Sequence, residues 1–174
     1  QHFSLFDSLT VAENLILGLD DNISFIDLKK KVELLSNKYE LPLDLESPIT
    51  NLSAGEKQRV EIIRILLQNP KLLIMDEPTS VLTPNEVEKL FITLKKLIQD
   101  GKTILYITHK LEEVIRICDT VTIMRNGKVV ETCSSQNESE KTLATKMLGK
   151  KLPEIKKIYT SNEYNKITFE INNL

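Results

Sequence analysis

The sequence predicts an α/β protein with a parallel sheet core, a helical region ahead of the sheet and a β-hairpin after it. Two apolar runs, at 72–75 and 103–108, have strand length and no polar alternation, which predicts fully buried strands of a parallel sheet. A helical apolar pattern separates the two runs. Strands that alternate with helices indicate a parallel α/β arrangement.

The region before the first strand predicts helices. Apolar residues recur at helical spacing in two stripes between Thr10 and Tyr39. A small helical region is therefore expected at the start of the chain. The first stripe comprises Val11, Leu15 and Leu17, and the second comprises Phe25, Leu28, Val32 and Leu35.

A further helix is predicted to begin at Ser53 and to end near Gln68. Glu56 follows Ser53 at the spacing of a capping box, in which each side chain bonds the backbone N–H of the other residue. The apolar residues that follow are Val60, Ile63 and Leu67.

The helix between the two strands is predicted to begin at Thr83 and to stop at Gly101. Pro84 suits the first helical turn, and Glu86 completes a second capping box. Its apolar face consists of Val87, Leu90, Phe91, Leu94 and Ile98.

The remaining elements are shorter. The Asn126-Gly127 pair predicts a tight hairpin turn, because both residues tolerate the positive φ angles that such a turn needs. The predicted elements are a helix at 110–117, hairpin strands at 121–124 and 129–132, and a helix at 141–148.

These elements predict one partial domain over 1–148, with a helical subdomain at about 8–68 and an α/β core at about 69–132. Residues 149–165 are rich in Lys with scattered Pro, Ser and Asn, and they predict a linker. Residues 166–174 alternate between apolar and polar, which predicts the first strand of a further domain.

Composition excludes several functional classes. Lys and Arg number 23 against 25 Asp and Glu, a net charge of −2, so no basic field for nucleic acid is expected. Cys118 and Cys133 lack metal-binding spacing, which indicates free thiols in a reducing compartment. No apolar stretch long enough to span a membrane is present, and no signal peptide is recognisable. The first residue is Gln1 rather than Met, which suggests that upstream residues have been removed.

The segment 72–79, LLIMDEPT, is the strongest chemical feature of the sequence. Asp76 and Glu77 end an apolar strand, so their carboxylates are expected at the edge of the sheet where ligands of open α/β folds bind. An acidic pair in this position is by itself more often a solvated loop or a helix cap. His109 closes the next strand, and the segment 52–59, LSAGEKQR, lies upstream.

Together these residues resemble the ATP-binding cassette (ABC) ATPase family, whose fold is related to the P-loop NTPases. The resemblance covers LSAGE at 52–56 as the signature, LLIMDE at 72–77 as the Walker B strand, SVLT at 80–83 as the D-loop, and THKLEE at 108–113 as the switch-histidine segment. Gln1 matches the glutamine that precedes the helical subdomain. The amino-acid sequence of these segments is most similar to the first cassette of nucleoside or simple-sugar importers.

The resemblance implies a role for each matched residue. Asp76 would hold Mg²⁺, usually through water, since this small cation prefers one or two carboxylates beside nucleotide phosphates. Glu77 would polarise the attacking water, and His109 would donate a hydrogen bond to the γ-phosphate. Gln1 would contact the metal or the water and report the nucleotide state. His2 is expected to be structural or exposed.

The resemblance also implies that Ser53, Ala54, Gly55 and Glu56 face ATP held by an opposite cassette. A helix start offers free N–H groups and a positive dipole end to an anion, although plain helix capping explains the same residues. Ala54 and Glu56 stand where the family usually has Gly and Gln. Thr83 replaces the usual D-loop Asp, which puts the contact between cassettes in question.

No Gly-rich phosphate loop, or Walker A motif, occurs in the sequence. Gly101-Lys102-Thr103 is similar to the end of such a loop, but it precedes a predicted strand, whereas a phosphate loop precedes a helix. A helix end contributes roughly 0.3 to 2 kcal/mol toward an anion, whereas micromolar binding needs about 8 kcal/mol. The chain alone is therefore not expected to hold ATP tightly. The five glycines are Gly18, Gly55, Gly101, Gly127 and Gly149.

The leading hypothesis is an ATPase subunit at the cytoplasmic face of the membrane, where a second cassette and permease subunits complete a solute importer. One alternative is a non-transport ABC ATPase that acts as a nucleotide-gated clamp on nucleic acid or the ribosome. Another is a non-catalytic remnant used for dimerisation. The transported solute stays open, because its choice belongs to the permease.

Overall fold

A computed structural model describes residues 3–19 and 23–149 of the chain. The predictions for Gln1, His2 and residues 150–174 lie outside the described residues, and so do the strand after the linker and almost all of the linker itself. The elements, in chain order, are α1 Val11–Leu17, α2 Phe25–Tyr39, α3 Ala54–Leu66, β1 Leu72–Asp76, α4 Pro84–Gln99, β2 Thr103–Ile107, α5 Leu111–Ile117, β3 Thr120–Arg125, β4 Lys128–Ser134 and α6 Glu140–Leu148, with short 3₁₀ turns at Ile49–Asn51 and Ser135–Asn137.

The starts of α3 and α4 are confirmed as capping boxes. The Ser53 hydroxyl accepts from the Glu56 N–H at 3.3 Å, and Glu56 Oε2 accepts from the Ser53 N–H at 2.9 Å. In α4, Glu86 Oε2 accepts from both the N–H and the hydroxyl of Thr83, at 2.9 and 2.8 Å. The reciprocal pair at α3 and the Glu86 bonds at α4 satisfy N–H groups that have no partner within the helix.

Strands β1 and β2 pair in parallel, with Leu72 opposite Thr103 and Asp76 opposite Ile107. Helix α4 forms the crossover between them. Because the strands run in the same direction, their carboxyl ends lie at one edge. Residues that follow Asp76 and Ile107 are thereby brought together.

The prediction that both strands are fully buried is wrong for one face of the sheet. Leu73 and Met75 on β1 are buried against the helices, as the apolar pattern requires. Within the described ranges, no helix or strand covers the opposite face, so the apolar residues on that side stay in solvent. These residues are Leu72, Ile74, Leu105 and Ile107, which are 45–61% exposed.

The main core lies between α1, α2, α3, α4 and the inner face of β1. A second, smaller core joins α5, α6 and β3 through Val114, Ile123 and Leu143. The two cores sit on either side of β2 in sequence. Leu73 and Met75 of β1 belong to the larger core, and Ile104 and Tyr106 of β2 pack against it.

Three residues of the predicted apolar stripes do not reach the core. Leu17 and Phe25 are exposed because they lie at the end of α1 and at the start of α2, where the helix surface faces solvent. On α4, Leu97 is fully buried and Ile98 is exposed, so the buried face is turned by one residue near the helix end.

The hairpin is confirmed. Asn126 and Gly127 have φ angles of 50° and 73°, which match the two-residue turn that the sequence predicts. Cys118 and Cys133 are both free thiols. None of the helices in the described part of the chain is long and apolar enough to cross a membrane.

Candidate active site at the ends of the parallel strands

Glu77 occupies the first position after β1 and has an unusual backbone conformation. Its N–H donates to the Ile107 carbonyl at 2.9 Å, which extends the parallel ladder by one residue. Its φ angle of 48° is left-handed, a conformation that a residue with a side chain seldom adopts. Non-glycine residues in this region of φ are concentrated at functional sites. The chain turns sharply here, and the carboxylate is held beside the end of β2.

Glu77 and His109 form a direct pair. Glu77 Oε1 lies 2.7 Å from His109 Nδ1. The Glu77 side chain is 15% exposed, whereas the His109 side chain is 72% exposed. With an ionised Glu77, Nδ1 carries the proton and donates it, so Nε2 stays available to another group.

The second carboxylate oxygen of Glu77 has no partner. Oε2 is buried and accepts no hydrogen bond from any described residue. A buried carboxylate oxygen without a hydrogen bond is costly, and such atoms in native structures commonly serve a water or a ligand. The site therefore has a buried, unpaired acceptor next to an imidazole that is largely exposed.

Asp76 ends β1 on the uncovered face of the sheet, in line with Leu72 and Ile74. It is exposed, and no hydrogen bond or ion pair joins its carboxylate to the rest of the described chain. Carboxylate oxygens are preferred ligands of Mg²⁺. The exposed carboxylate of Asp76 thus fits a magnesium ion and its waters chemically, with the unpaired oxygen of Glu77 in the next residue.

The start of α3 already holds two carboxylates from the same chain. Hydrogen bonds from the Ser53 backbone, and then from its hydroxyl, lower the pKa of Glu56. The Thr83 backbone N–H chiefly lowers the pKa of Glu86, with a smaller contribution from the Gly55 backbone. A Cβ at Gly55 would lie 2.2 Å from Glu86 Oε1, so the first turns of α3 and α4 touch here.

One hydrogen bond links α3 to the strand-end site. The buried Gln58 amide donates to the Pro78 carbonyl at 2.9 Å, next to Glu77. Among the described residues, no hydrogen bond or ion pair joins the segment 53–56 to Asp76, Glu77 or His109. The structure brings together Glu77 and His109, with Asp76 adjacent, and keeps the α3 start separate.

Sequence reasoning missed a buried polar network behind the pair. The Thr79 hydroxyl donates to Glu113 Oε1 at 2.7 Å, and the Tyr106 hydroxyl donates to Glu113 Oε2 at 2.8 Å. Lys110 Nζ donates to the Thr79 hydroxyl at 3.0 Å and lies 3.3 Å from Glu113 Oε1. Burial, followed by Glu113, raises the pKa of Tyr106 well above its usual range. Thr79 and Glu113 both lie within the motifs, but nothing in the motifs says that they meet.

A parallel strand that ends in two acids, paired with a histidine from the neighbouring strand end, matches the arrangement that the resemblance to ABC ATPases implies. The family described as "ABC transporter" matches residues 1–80 of the chain.

Named relatives are similar over most of the chain. The nucleoside import ATP-binding protein NupA of Lactococcus lactis subsp. cremoris is 41% identical over 154 residues, which cover 86% of this chain and 30% of that protein. The ribose import ATP-binding protein RbsA of Streptococcus agalactiae serotype Ia is 38% identical over 183 residues, covering 100% of this chain and 36% of that protein.

A solved structure shares the fold. The dimeric post-hydrolysis state of the ATP-binding cassette MJ0796, bound to ADP and Pi, superposes with a TM-score of 0.66 at 30% identity, over 79% of this chain and 62% of that one. The chain therefore matches part of the ATP-binding domain of ABC transporters. It spans about a third of the length of the import proteins it matches.

Proposed function

We propose that this chain is part of an ATPase that energises solute import through a membrane ABC transporter. The observation that carries the proposal is the Glu77–His109 pair, in which one carboxylate oxygen is fixed by the imidazole and the other is buried and open. Such an arrangement suits a residue that must orient one water molecule beside a phosphate.

In this proposal Glu77 Oε2 accepts a proton from the attacking water while the water oxygen bonds to the γ-phosphorus. The bond from that phosphorus to the bridging oxygen of ADP breaks, and ADP and phosphate result. His109 Nδ1 keeps the carboxylate in place. His109 Nε2, on the exposed side of the ring, would contact the γ-phosphate, and it can donate only when the imidazole is doubly protonated.

Asp76 would hold Mg²⁺ through water. The neighbouring Glu77 Oε2 has no hydrogen-bond partner in the described chain, which supports a role for it in binding water at this position. When bound, Mg²⁺ neutralises charge on the phosphate oxygens and favours the leaving group. Asp76 would hold the waters around the ion, and its carboxylate is available for this role because no other described residue engages it.

The uncovered face of the sheet supports the view that a further layer completes the site. Parallel sheets are normally covered on both faces, and apolar Ile74 and Leu105 lie in solvent beside Asp76. A phosphate-binding loop carried by that layer would meet the carboxyl ends of β1 and β2. This loop would supply the affinity for ATP that the described residues lack.

The start of α3 would contribute from the opposite side, facing ATP held by a second cassette. The dimeric state of the MJ0796 cassette supports this arrangement. Ser53 is exposed, and Gly55 allows close approach of a ligand to the backbone. Without such a ligand, the carboxylates of Glu56 and Glu86 accept from the N–H groups at this helix start. A phosphate at this position would have to displace the Glu86 carboxylate.

The transported solute would be a nucleoside or a simple sugar. The relatives named for nucleoside and ribose import support this choice. Permease subunits would be the membrane partner, and the ATPase would lie at the cytoplasmic face of the membrane as a peripheral subunit.

The test is ATP turnover by the full-length protein that contains this chain. Glu77→Gln keeps the size of the side chain but removes the acceptor charge, so we expect turnover to fall about 10²- to 10⁴-fold. Phosphate release measures the rate, and binding of a fluorescent ATP analogue shows that the variant still takes up nucleotide.

Glu112→Gln is the matched control, because Glu112 is an exposed glutamate on α5 outside the site. Parental turnover in the Glu77→Gln variant would contradict the role of Glu77. A parent protein that binds no ATP would instead favour a non-catalytic remnant. Reconstitution with the permease, and stimulation by ribose or a nucleoside, tests the transport assignment.

A further inference from the structure

We propose that Glu113 is a positioning residue that holds the loop carrying Glu77 against the loop carrying His109. This inference rests on the proposed function. Glu113 contacts neither the reacting carboxylate nor the imidazole. Its effect on hydrolysis would be exerted through the two loops that it joins.

The contacts of Glu113 reach both loops. Oε1 accepts from the hydroxyl of Thr79, two residues after Glu77, at 2.7 Å. Oε2 accepts from the hydroxyl of Tyr106, three residues before His109, at 2.8 Å, with the Thr108 hydroxyl at 3.5 Å. One carboxylate therefore bonds residues from the ends of both parallel strands.

Lys110 closes the network from the residue next to His109. Its ammonium donates to the Thr79 carbonyl at 3.1 Å and to the Thr79 hydroxyl at 3.0 Å, and it lies 3.3 Å from Glu113 Oε1. The Thr79 hydroxyl thus accepts from Lys110 while it donates to Glu113. A group with both roles fixed in this way is held in one orientation.

Because these residues are buried, their hydrogen bonds cannot easily be exchanged for hydrogen bonds to water. Thr79 is 1% exposed and Glu113 is 7% exposed. Water cannot readily replace a partner at such positions, so a lost bond leaves a buried polar group unsatisfied. Glu113 is therefore the buried carboxylate through which the two loops are joined, in addition to the direct Lys110 bonds to Thr79.

Comparison with other glutamates shows that Glu113 is not used for capping. Glu56 and Glu86 occupy the third position of α3 and α4, and each bonds the backbone N–H of its own N-cap residue. Glu113 occupies the third position of α5, yet its N-cap Lys110 receives no side-chain cap. The carboxylate is directed across the molecule to Thr79, 34 residues away in sequence.

The test uses the full-length protein with Glu113→Gln, Thr79→Val, Thr79→Ser and the Glu113→Gln/Thr79→Val double variant. An amide has one oxygen where the carboxylate has two, so Glu113→Gln leaves Thr79 or Tyr106 without an acceptor. Thr79→Val keeps the shape and removes the hydroxyl, whereas Thr79→Ser keeps the hydroxyl. Glu112→Gln, the neighbouring exposed glutamate, is the matched control.

We expect Glu113→Gln and Thr79→Val each to lower kcat about tenfold to a hundredfold, since small misplacements of catalytic groups have effects of that size. KM and the stoichiometry of ATP-analogue binding should stay parental, which shows that the protein is folded. Thr79→Ser, which keeps the hydroxyl, should retain the parental kcat. The double variant should be little worse than either single variant, because both remove the same connection.

Hydrogen–deuterium exchange without nucleotide gives a readout apart from activity. Both impaired variants should exchange faster in peptides that span 105–110, with no change in α3. Parental kcat in Glu113→Gln, equal impairment of Thr79→Ser and Thr79→Val, or additive effects in the double variant would each overturn the inference. A parent without ATP turnover would reject the proposed function, and the exchange comparison would still decide whether Glu113 holds the loops.

Discussion

The strand-end site and the start of α3 differ in what their polar groups contact. At the strand ends, Glu77 keeps a buried oxygen without a partner, although His109 fixes the rest of its carboxylate. At the start of α3, the backbone N–H groups of Ser53 and Glu56 already have partners, and Glu86 lies against Gly55. The first region has an open acceptor, and the second is closed by carboxylates of the same chain.

Under the proposed function, this difference indicates what each region would need in order to take part in one site. The strand-end pair is assembled within the chain and needs only a ligand beside it. The α3 start can bind an anion only after Glu86 moves, because two negative groups compete for the same N–H groups. Contact with a second cassette is the event that would supply both the phosphate and the displacement.

Of the changes that test this comparison, the largest expected effect concerns His109 of the assembled pair. In the full-length protein, His109→Ala removes the group that orients Glu77 and the donor proposed for the γ-phosphate, so we expect kcat to fall about 10²- to 10³-fold. Phosphate release under saturating ATP measures this loss, with Glu112→Gln as the control. Turnover within the range of the control would mean that the pair is only structural.

A smaller effect tests the closed region. Gly55→Ala would place a methyl group where the Glu86 carboxylate now lies, so this carboxylate must shift and its capping bonds to Thr83 are weakened. We expect a loss of about 0.5–2 kcal/mol in the free energy of unfolding, the usual size of a lost cap. Thermal or denaturant unfolding of the full-length protein measures the change.

Glu86→Ala provides the control background for this substitution. Without the Glu86 side chain, alanine at position 55 meets no obstacle and has a higher helix propensity than glycine by about 1 kcal/mol. The same Gly55→Ala change should then stabilise the protein. A loss of equal size in both backgrounds would show that Glu86 is not the group that Gly55 accommodates.

The smallest effect concerns pH. The folded-state pKa of Glu86 lies below its ordinary value of 4.5, chiefly because of the Thr83 backbone N–H. Its contribution to stability is therefore present above about pH 4.5 and is lost as the pH falls through the lower folded value. Glu86→Gln does not titrate, so its melting temperature should fall less than that of the parent between about pH 6 and pH 4. Parallel melting curves for parent and variant would contradict this assignment.

The parts of the fold that depend on neighbouring residues could be predicted from the sequence. Both capping boxes and the Asn126-Gly127 turn are set by residues within a few positions of one another, and the structure confirms them. The meeting of Glu77 and His109 followed from the direction of two parallel strands. Each of these features rests on local geometry or on one topological rule.

Other features could not be predicted because they depend on distant parts of the molecule. Residues 72–75 are apolar throughout, and nothing in that run tells which face will have a covering layer. The bond between Thr79 and Glu113 joins residues whose proximity depends on how α5 packs against β1 and β2. The contact of Gly55 with Glu86 likewise requires the relative placement of α3 and α4.

The exposed apolar side of the sheet has a thermodynamic consequence under the proposed function. A layer that covers Ile74 and Leu105 would gain roughly 1.5–3 kcal/mol for each large apolar side chain it removes from water. If the same layer carries the phosphate-binding loop, packing of that layer on the sheet and binding of nucleotide are thermodynamically coupled. Nucleotide affinity would then respond to the hydrophobicity of residues that never contact the nucleotide.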